Sequence, residues 1–225
     1  MPYQSFAELV LNTVKGVDYD VVVAKREAAA TIVAIHGGAI EPPTGELACE
    51  IAGADHNLYV LRGLRAERAA EMRIPVNRFD EIRLRALLEH SQEAVALQGV
   101  DGSLPIVHLG GRNQALKRAL AEALAAEGFA VGAPASAGAA HDPTRYYNLP
   151  TYGGVQVELT RALRGELRPG DAPGARWDAF VRAIRAGIEA YQVEARADLG
   201  RAMQRFERAT EAMPPTIRKP HCHHD

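Results

Sequence analysis

The stretch TIVAIHGGAIEPPTGELA, residues 31–48, decides how the chain is read. The run from Thr31 to Ile35 has the composition of a β-strand. It ends in His36, and Gly37 and Gly38 follow, allowing backbone paths that a Cβ resists. Glu41 stands five residues after His36, with Pro42 and Pro43 stiffening the turn behind it. A neutral imidazole and a carboxylate on one short, stiff loop both reach a zinc ion at about 2.0–2.2 Å. The same residues also fit a strand-end histidine bonded to backbone beside an exposed glutamate. Two ligands do not make a site, so spacing alone leaves both readings open.

Outward from this strand, SFAELVLNTV (5–14) reads as a short helix, with Ser5 as its cap and Glu8 three residues on. DYDVVVAKR, NLYVLRG, AVAL, LPIVHL, FAVGA and GVQVEL read as further strands. FDEIRLRALLEHSQ has helical spacing, with Phe79, Ile82, Ala86 and Leu87 along one stripe. NQALKRALAEALAAEGF is the clearest helix: Asn113 caps it, Leu116, Leu120 and Leu124 line one face, and Gly128 suits a left-handed stop. Residues 175–213 read as helical, with a break expected near Gly200 and an apolar stripe of Phe180, Ile184, Ile188 and Tyr191. Alternating helices and short apolar strands predict a single α/β domain, its mixed or largely parallel sheet flanked by helices. In such folds the sites lie at the carboxyl ends of the strands. The expected organisation is an α/β domain over 1–170, a helical extension over 171–212 packed on or beside it, and a flexible tail over 213–225.

A length of 225 residues suits one domain with an extension. The formal net charge of -2 gives no basic field that points to nucleic acid or a membrane surface. No apolar stretch approaches the roughly 20 residues that span a bilayer. The N-terminus carries acids and lacks the basic and apolar regions of a secretory signal. Cys49 and Cys222 are far apart, so a disulfide framework is not expected, and the reducing cytoplasm is the expected location. The sequence leaves the oligomeric state open.

The other residues suited to chemistry also stand at strand ends. Glu158 closes GVQVEL and faces the crevice of His36 if both strands share one parallel sheet. It then suits a general base acting on a metal-bound water; an ion pair with Arg161 or Arg164 is the structural alternative. His108 precedes Gly110 and Gly111, whose spacing falls short of a phosphate-binding fingerprint. His56 and His90 read as surface or boundary residues, and His141 lies in a polar loop within reach of the site. The terminal HCHHD holds metal-ligand residue types on a segment with no element to order them.

Taken together, these segments resemble the poly-γ-glutamate hydrolase family, zinc peptidases with a carboxypeptidase A-like α/β fold. The resemblance runs over most of residues 3–165 and is most specific in AIHGGAIEPPTGELA and GGVQVELTRALR. It implies His36 and Glu41 as zinc ligands and Glu158 as the general base, with a metal-bound water attacking an amide carbonyl. Three departures accompany it. Gln98, before Gly99, stands where the family has its third histidine ligand. An amide oxygen is a poorer zinc ligand than imidazole, so Gln98 and the nearby His108 are both third-ligand candidates. MRIPVN (72–77) lacks the family's histidine and serine–threonine pair. Asn148 matches the asparagine of an asparagine–arginine pair that grips a substrate carboxylate, but Leu149 follows it; Arg145 is the replacement guanidinium.

The expected function is a zinc-dependent hydrolase of a γ-glutamyl or other carboxylate-bearing amide, small or peptide-like. Two alternatives accompany it. One is a non-catalytic binding or accessory member with a degraded metal site. The other is a metal enzyme of different reaction type, in which His36, Glu41 and His108 form the two-histidine-one-carboxylate set that suits ferrous iron.

Overall fold

The computed structural model describes residues 2–134, 140–168 and 172–211. The elements run α1 (Phe6–Asn12), β1 (Tyr19–Ala24), β2 (Ala30–Gly38), α2 (Thr44–Ala52), β3 (Asn57–Gly63), α3 (Ile82–Glu89), β4 (Glu93–Val100), β5 (Ile106–Gly110), α4 (Gln114–Ala126), β6 (Ala130–Gly132), β7 (Gly154–Thr160), α5 (Arg161–Leu167) and α6 (Trp177–Glu211). The strands form one seven-stranded sheet ordered β1-β3-β2-β4-β7-β5-β6. Its centre is parallel, whereas β1 runs antiparallel to β3 and β5 antiparallel to β7. The sheet is therefore mixed. From β2 the chain moves to β3 on one side, then returns to β4 on the other. That reversal opens a crevice at the carboxyl ends of β2 and β4.

The core divides by strand face, because side chains alternate with period two. Val33, Ile35, Tyr59, Leu61, Ala94 and Ala96 turn to one face, where they meet Leu84, Leu87 and Leu88 of α3 together with Tyr146 and Tyr147. Helices α2 and α4 cover the opposite face. Leu116, Leu120 and Leu124 of α4 are fully buried. Asn113 caps α4 as expected: its Oδ1 accepts from the Leu116 N–H at 3.0 Å. Ser5 caps α1 in the same way, accepting from the Glu8 N–H at 3.0 Å.

Three local expectations change. Helix α3 begins at Ile82, after Phe79, because Glu81 is its cap and accepts from the Leu84 N–H at 2.8 Å. Helix α6 runs unbroken through Gly200, where good helix formers on both sides outweigh one glycine at about 1 kcal/mol. Helices α2 and α5 carry no long apolar stripe and were not anticipated; Thr160 caps α5.

The chain divides into two compact units, Met1–Ile188 and Glu189–Asp225. The first holds the sheet and the start of α6, with Phe180, Ile184 and Ile188 buried. The described part of the second is the remainder of α6, on which Leu199, Met203 and Phe206 are exposed. The tail with HCHHD lies outside the described residues. Among the described residues no helix is long and apolar enough to cross a membrane.

Candidate active site at the carboxyl edge of the sheet

The end of β2 is irregular, and that irregularity aims His36. Ala34 pairs with Val60 but Gly37 pairs with Arg62, so β2 carries one extra residue there. Such a bulge redirects a side chain. Ile35 stays in the core, and His36 turns to the same side, where its Nε2 donates to the Ile74 carbonyl at 2.8 Å. Gly38 then adopts φ +62°, and a Cβ there would stand 2.4 Å from the Gly63 carbonyl oxygen. Only glycine fits this path. The Glu41 N–H donates back to the His36 carbonyl at 2.8 Å, and Thr44 Oγ1 donates to the Glu41 carbonyl at 2.9 Å. These bonds bring both side chains to one buried corner.

His36 Nδ1 lies 3.2 Å from Glu41 Oε1 but outside hydrogen-bond alignment, and this buried nitrogen has no hydrogen-bond partner. Glu41 has two aligned donors. Arg73 Nε donates to Oε1 at 2.7 Å, and the Gly99 N–H donates to Oε2 at 2.6 Å. A second Arg73 nitrogen donates to the Gly99 carbonyl at 3.2 Å. Burial opposes ionisation of Glu41, but the His36 ring, the Gly99 N–H and Arg73 together outweigh it and hold the carboxyl below its ordinary value.

Across the sheet, Gln98, Glu158 and His108 form one row. Gln98 pairs with Glu158 in the parallel β4–β7 ladder, and His108 pairs with Glu158 in the antiparallel β5–β7 ladder. Directly paired residues share a face, so β4, β7 and β5 present all three side chains together. Gln98 Oε1 accepts from Gln156 Nε2, and Gln156 Oε1 accepts from the Tyr147 hydroxyl at 3.0 Å. The ring of His108 leans over Gly132 of β6, the strand on its far side from β7. Its Nδ1 is buried without a hydrogen-bond partner.

Glu158 is 9% exposed. Burial pushes its pKa up; His108 and Arg145 partly offset the rise, and Glu41 adds to it. Neither arginine proposed as its structural partner is paired with it. Arg161 bonds Asp101 at 2.5 Å, and Arg164 donates to the Pro42 carbonyl at 2.9 Å. Arg145 has a buried Nε without a hydrogen-bond partner. Asn148 is fully engaged: its amide donates to the Ala140 and Asp142 carbonyls at 2.9 and 2.8 Å, and its oxygen accepts from the Arg112 N–H at 3.0 Å. It clamps the loop before β7. His141 meets Gln114 at 3.0 Å, and His90 bonds the Ala86 carbonyl at 2.8 Å.

The residues fit a three-ligand zinc site only in part. The 3.2 Å between His36 Nδ1 and Glu41 Oε1 suits two ligands of one tetrahedral ion, and the unpartnered Nδ1 suits a ligand atom. The remaining corner does not fit. Gln98 is an amide occupied by Gln156, and a guanidinium sits on the Glu41 oxygen that a metal would share. Among the described residues no three His, Cys, Asp or Glu side chains converge on one point, so neither the zinc set nor the iron set with His108 is assembled.

Beside the loop, on the side of Pro42 and Pro43, lies a groove of about 700 Å³ lined by Arg62, Arg161, Arg164, Arg168 and Glu46. Arg73, Gln156 and Arg164 were not anticipated as site residues. Gln156 had a signal, since it lies two positions before Glu158 on the same strand face. Arg73 had one in the histidine missing from MRIPVN.

A family model described as poly-gamma-glutamate hydrolase matches residues 3–169. Two Bacillus subtilis (strain 168) proteins align over 127 residues, which is 56% of this chain: UPF0714 protein YndL at 30% identity, over 50% of its length, and SPbeta prophage-derived UPF0714 protein YoqZ at 29%, over 46%. The chain thus spans about half the length of the curated relatives it matches. A bacteriophage poly-γ-glutamate hydrolase structure superposes with TM-score 0.79 at 23% identity, covering 84% of this chain and 97% of that one. A zinc-free apo structure of YndL superposes with TM-score 0.77 at 24% identity, covering 83% and 96%. These superpositions establish the fold as that of the two solved proteins, in agreement with the resemblance read from the sequence. By the match over residues 3–169, the chain belongs to the poly-γ-glutamate hydrolase family.

Proposed function

We propose that this protein hydrolyses an amide that carries a carboxylate, a γ-glutamyl amide being the class the family description points to, with Glu158 as general base. The observation that carries this reading is the state of Glu158. It is buried at a strand end in the crevice, unpaired with Arg161 or Arg164, with its pKa raised by burial. A carboxyl tuned upward toward working pH exchanges protons effectively. Glu158 removes a proton from a water attacking the carbonyl carbon and returns it to the amide nitrogen as the C–N bond breaks. The Arg145 guanidinium, with an unpartnered buried Nε, holds the substrate carboxylate. The arginine-lined groove takes further carboxylates if the substrate is a chain. No step is routed through a metal, because the donor set does not complete one. General-base catalysis alone contributes about 10²–10⁴-fold, so the expected enzyme is slow.

The second reading is a binding or accessory protein that holds the same ligand without turning it over. Gln98 bonded to Gln156, and Glu41 bonded to Arg73, favour it, since both occupy positions that the family resemblance assigns to metal chemistry. Calorimetric binding of a γ-glutamyl dipeptide, together with amine release from it, separates the two. Binding with release supports hydrolysis, binding without release supports the accessory role, and absence of both removes the γ-glutamyl assignment.

A further inference from the structure

The His36–Glu41 corner has the geometry of half a metal site, yet it already holds a positive charge. Arg73 reaches Glu41 from the segment before α3 and is fixed at two points: Nε on Glu41 Oε1 at 2.7 Å, and a terminal nitrogen on the Gly99 carbonyl at 3.2 Å. The Gly99 N–H holds the other Glu41 oxygen at 2.6 Å. Guanidinium, carboxylate and one peptide unit of β4 therefore close a ring of hydrogen bonds around Glu41, which is almost fully buried. A buried carboxylate needs a cation or several donors to remain ionised, and here Arg73 and Gly99 supply both.

Two further features agree. Arg164 stands beside Gly99, so close that a Cβ on that glycine would lie 2.9 Å from its guanidinium carbon and 3.0 Å from the Glu41 Cβ. A dication at the corner would face two guanidinium groups. At the third corner, Gln98 gives its carbonyl oxygen to Gln156, whose own oxygen is held by Tyr147. The amide at Gln98 and the seating of Arg73 thus point the same way: the corner offers no third imidazole, and Glu41 has its charge balanced by a side-chain cation.

We propose that the Arg73 guanidinium is the resident cation of the His36–Glu41 corner, occupying by charge the place of a metal ion. Arg73 is a positioning residue here: it holds Glu41, and through the Glu41 N–H bond to the His36 carbonyl the end of β2 that carries His36. The proposal concerns metal binding and stands whether or not the protein hydrolyses amides.

The test measures metal affinity in the full chain, with His221→Ala, Cys222→Ser, His223→Ala and His224→Ala to silence the tail. Zinc is titrated while the His36 ring nitrogens are followed by NMR, and cobalt(II) is titrated while its visible bands are followed. Three proteins are compared: this background, the background with Gln98→His, and the background with Gln98→His and Arg73→Ala. The background is expected to show no His36 response up to about millimolar metal. Gln98→His alone binds weakly, and adding Arg73→Ala tightens binding at least about tenfold, the scale of effects from residues adjoining a metal site. Arg73→Gln, which keeps a donor for Glu41, replaces Arg73→Ala if that protein fails to fold. One equivalent of zinc bound at His36 with Arg73 intact would overturn the proposal, as would equal affinities with and without Arg73. Because the readout is spectroscopic, failure here is distinct from failure to detect turnover.

Discussion

At the residue scale, the corner depends on a few positions with no tolerance for extra atoms. Gly38 combines φ +62° with a backbone oxygen 2.4 Å from any added Cβ. Gly38→Ala is expected to lower stability by about 1–3 kcal/mol, read by urea denaturation, and to displace the 36–41 loop; a neutral substitution would contradict this path. The positions of His36, Glu41 and Glu158 near strand ends were legible in the sequence, because each lies in the last residues of an apolar run or in the loop after it. Arg73 was not legible as a partner of Glu41, because 32 residues separate them and only the folded crevice brings them together. The bulge that aims His36 was hidden for a similar reason: it is a mismatch between two strands, and no single segment records it.

At the element scale, strands and the long capped helix were readable because their periodicity and caps are local. Asn113→Ala should cost about 1 kcal/mol through loss of the α4 cap, measured by chemical denaturation, and an unchanged midpoint would remove the cap from the account. Helices α2 and α5 were missed because each is short and contains a glycine, so packing rather than pattern makes them helical. Asp18 joins the turn after α1 to the segment after β3, accepting from the Val14 N–H at 2.8 Å and lying 3.2 Å from an Arg68 nitrogen. The Val14 N–H is the main cause that lowers its pKa; burial opposes it, and Arg68 and Arg65 add to the lowering. A depressed folded pKa gives stability that is present above the unfolded value, about 3.9, and is lost as pH falls through the folded one. The melting temperature of wild type should therefore exceed that of Asp18→Asn by more at pH 6 than at pH 3. A pH-independent difference would contradict this linkage.

At the scale of the whole molecule, the formal net charge of -2 coexists with a local cluster of arginines, of which Arg62, Arg161 and Arg168 are paired with Asp20, Asp101 and Glu46. Arg62, Arg161, Arg164 and Arg168 line one groove, with Arg73 and Arg145 at the crevice beside it. An anionic substrate drawn by that field binds more weakly as salt rises, since the screening length falls from about 10 Å at 0.1 M to about 3 Å at 1 M. KM for a γ-glutamyl oligomer should rise over that range while kcat changes little; a salt-independent KM would argue against the groove. The central claim is hydrolysis by Glu158 in a site completed by an arginine. It is tested most directly by measuring amine release from a γ-glutamyl oligomer in the presence of a chelator, for wild type and for Glu158→Gln at matched folding. The account predicts slow release by wild type that persists with chelator, and at least about a hundredfold less from Glu158→Gln; release that is abolished by chelator, or unaffected by Glu158→Gln, would contradict it.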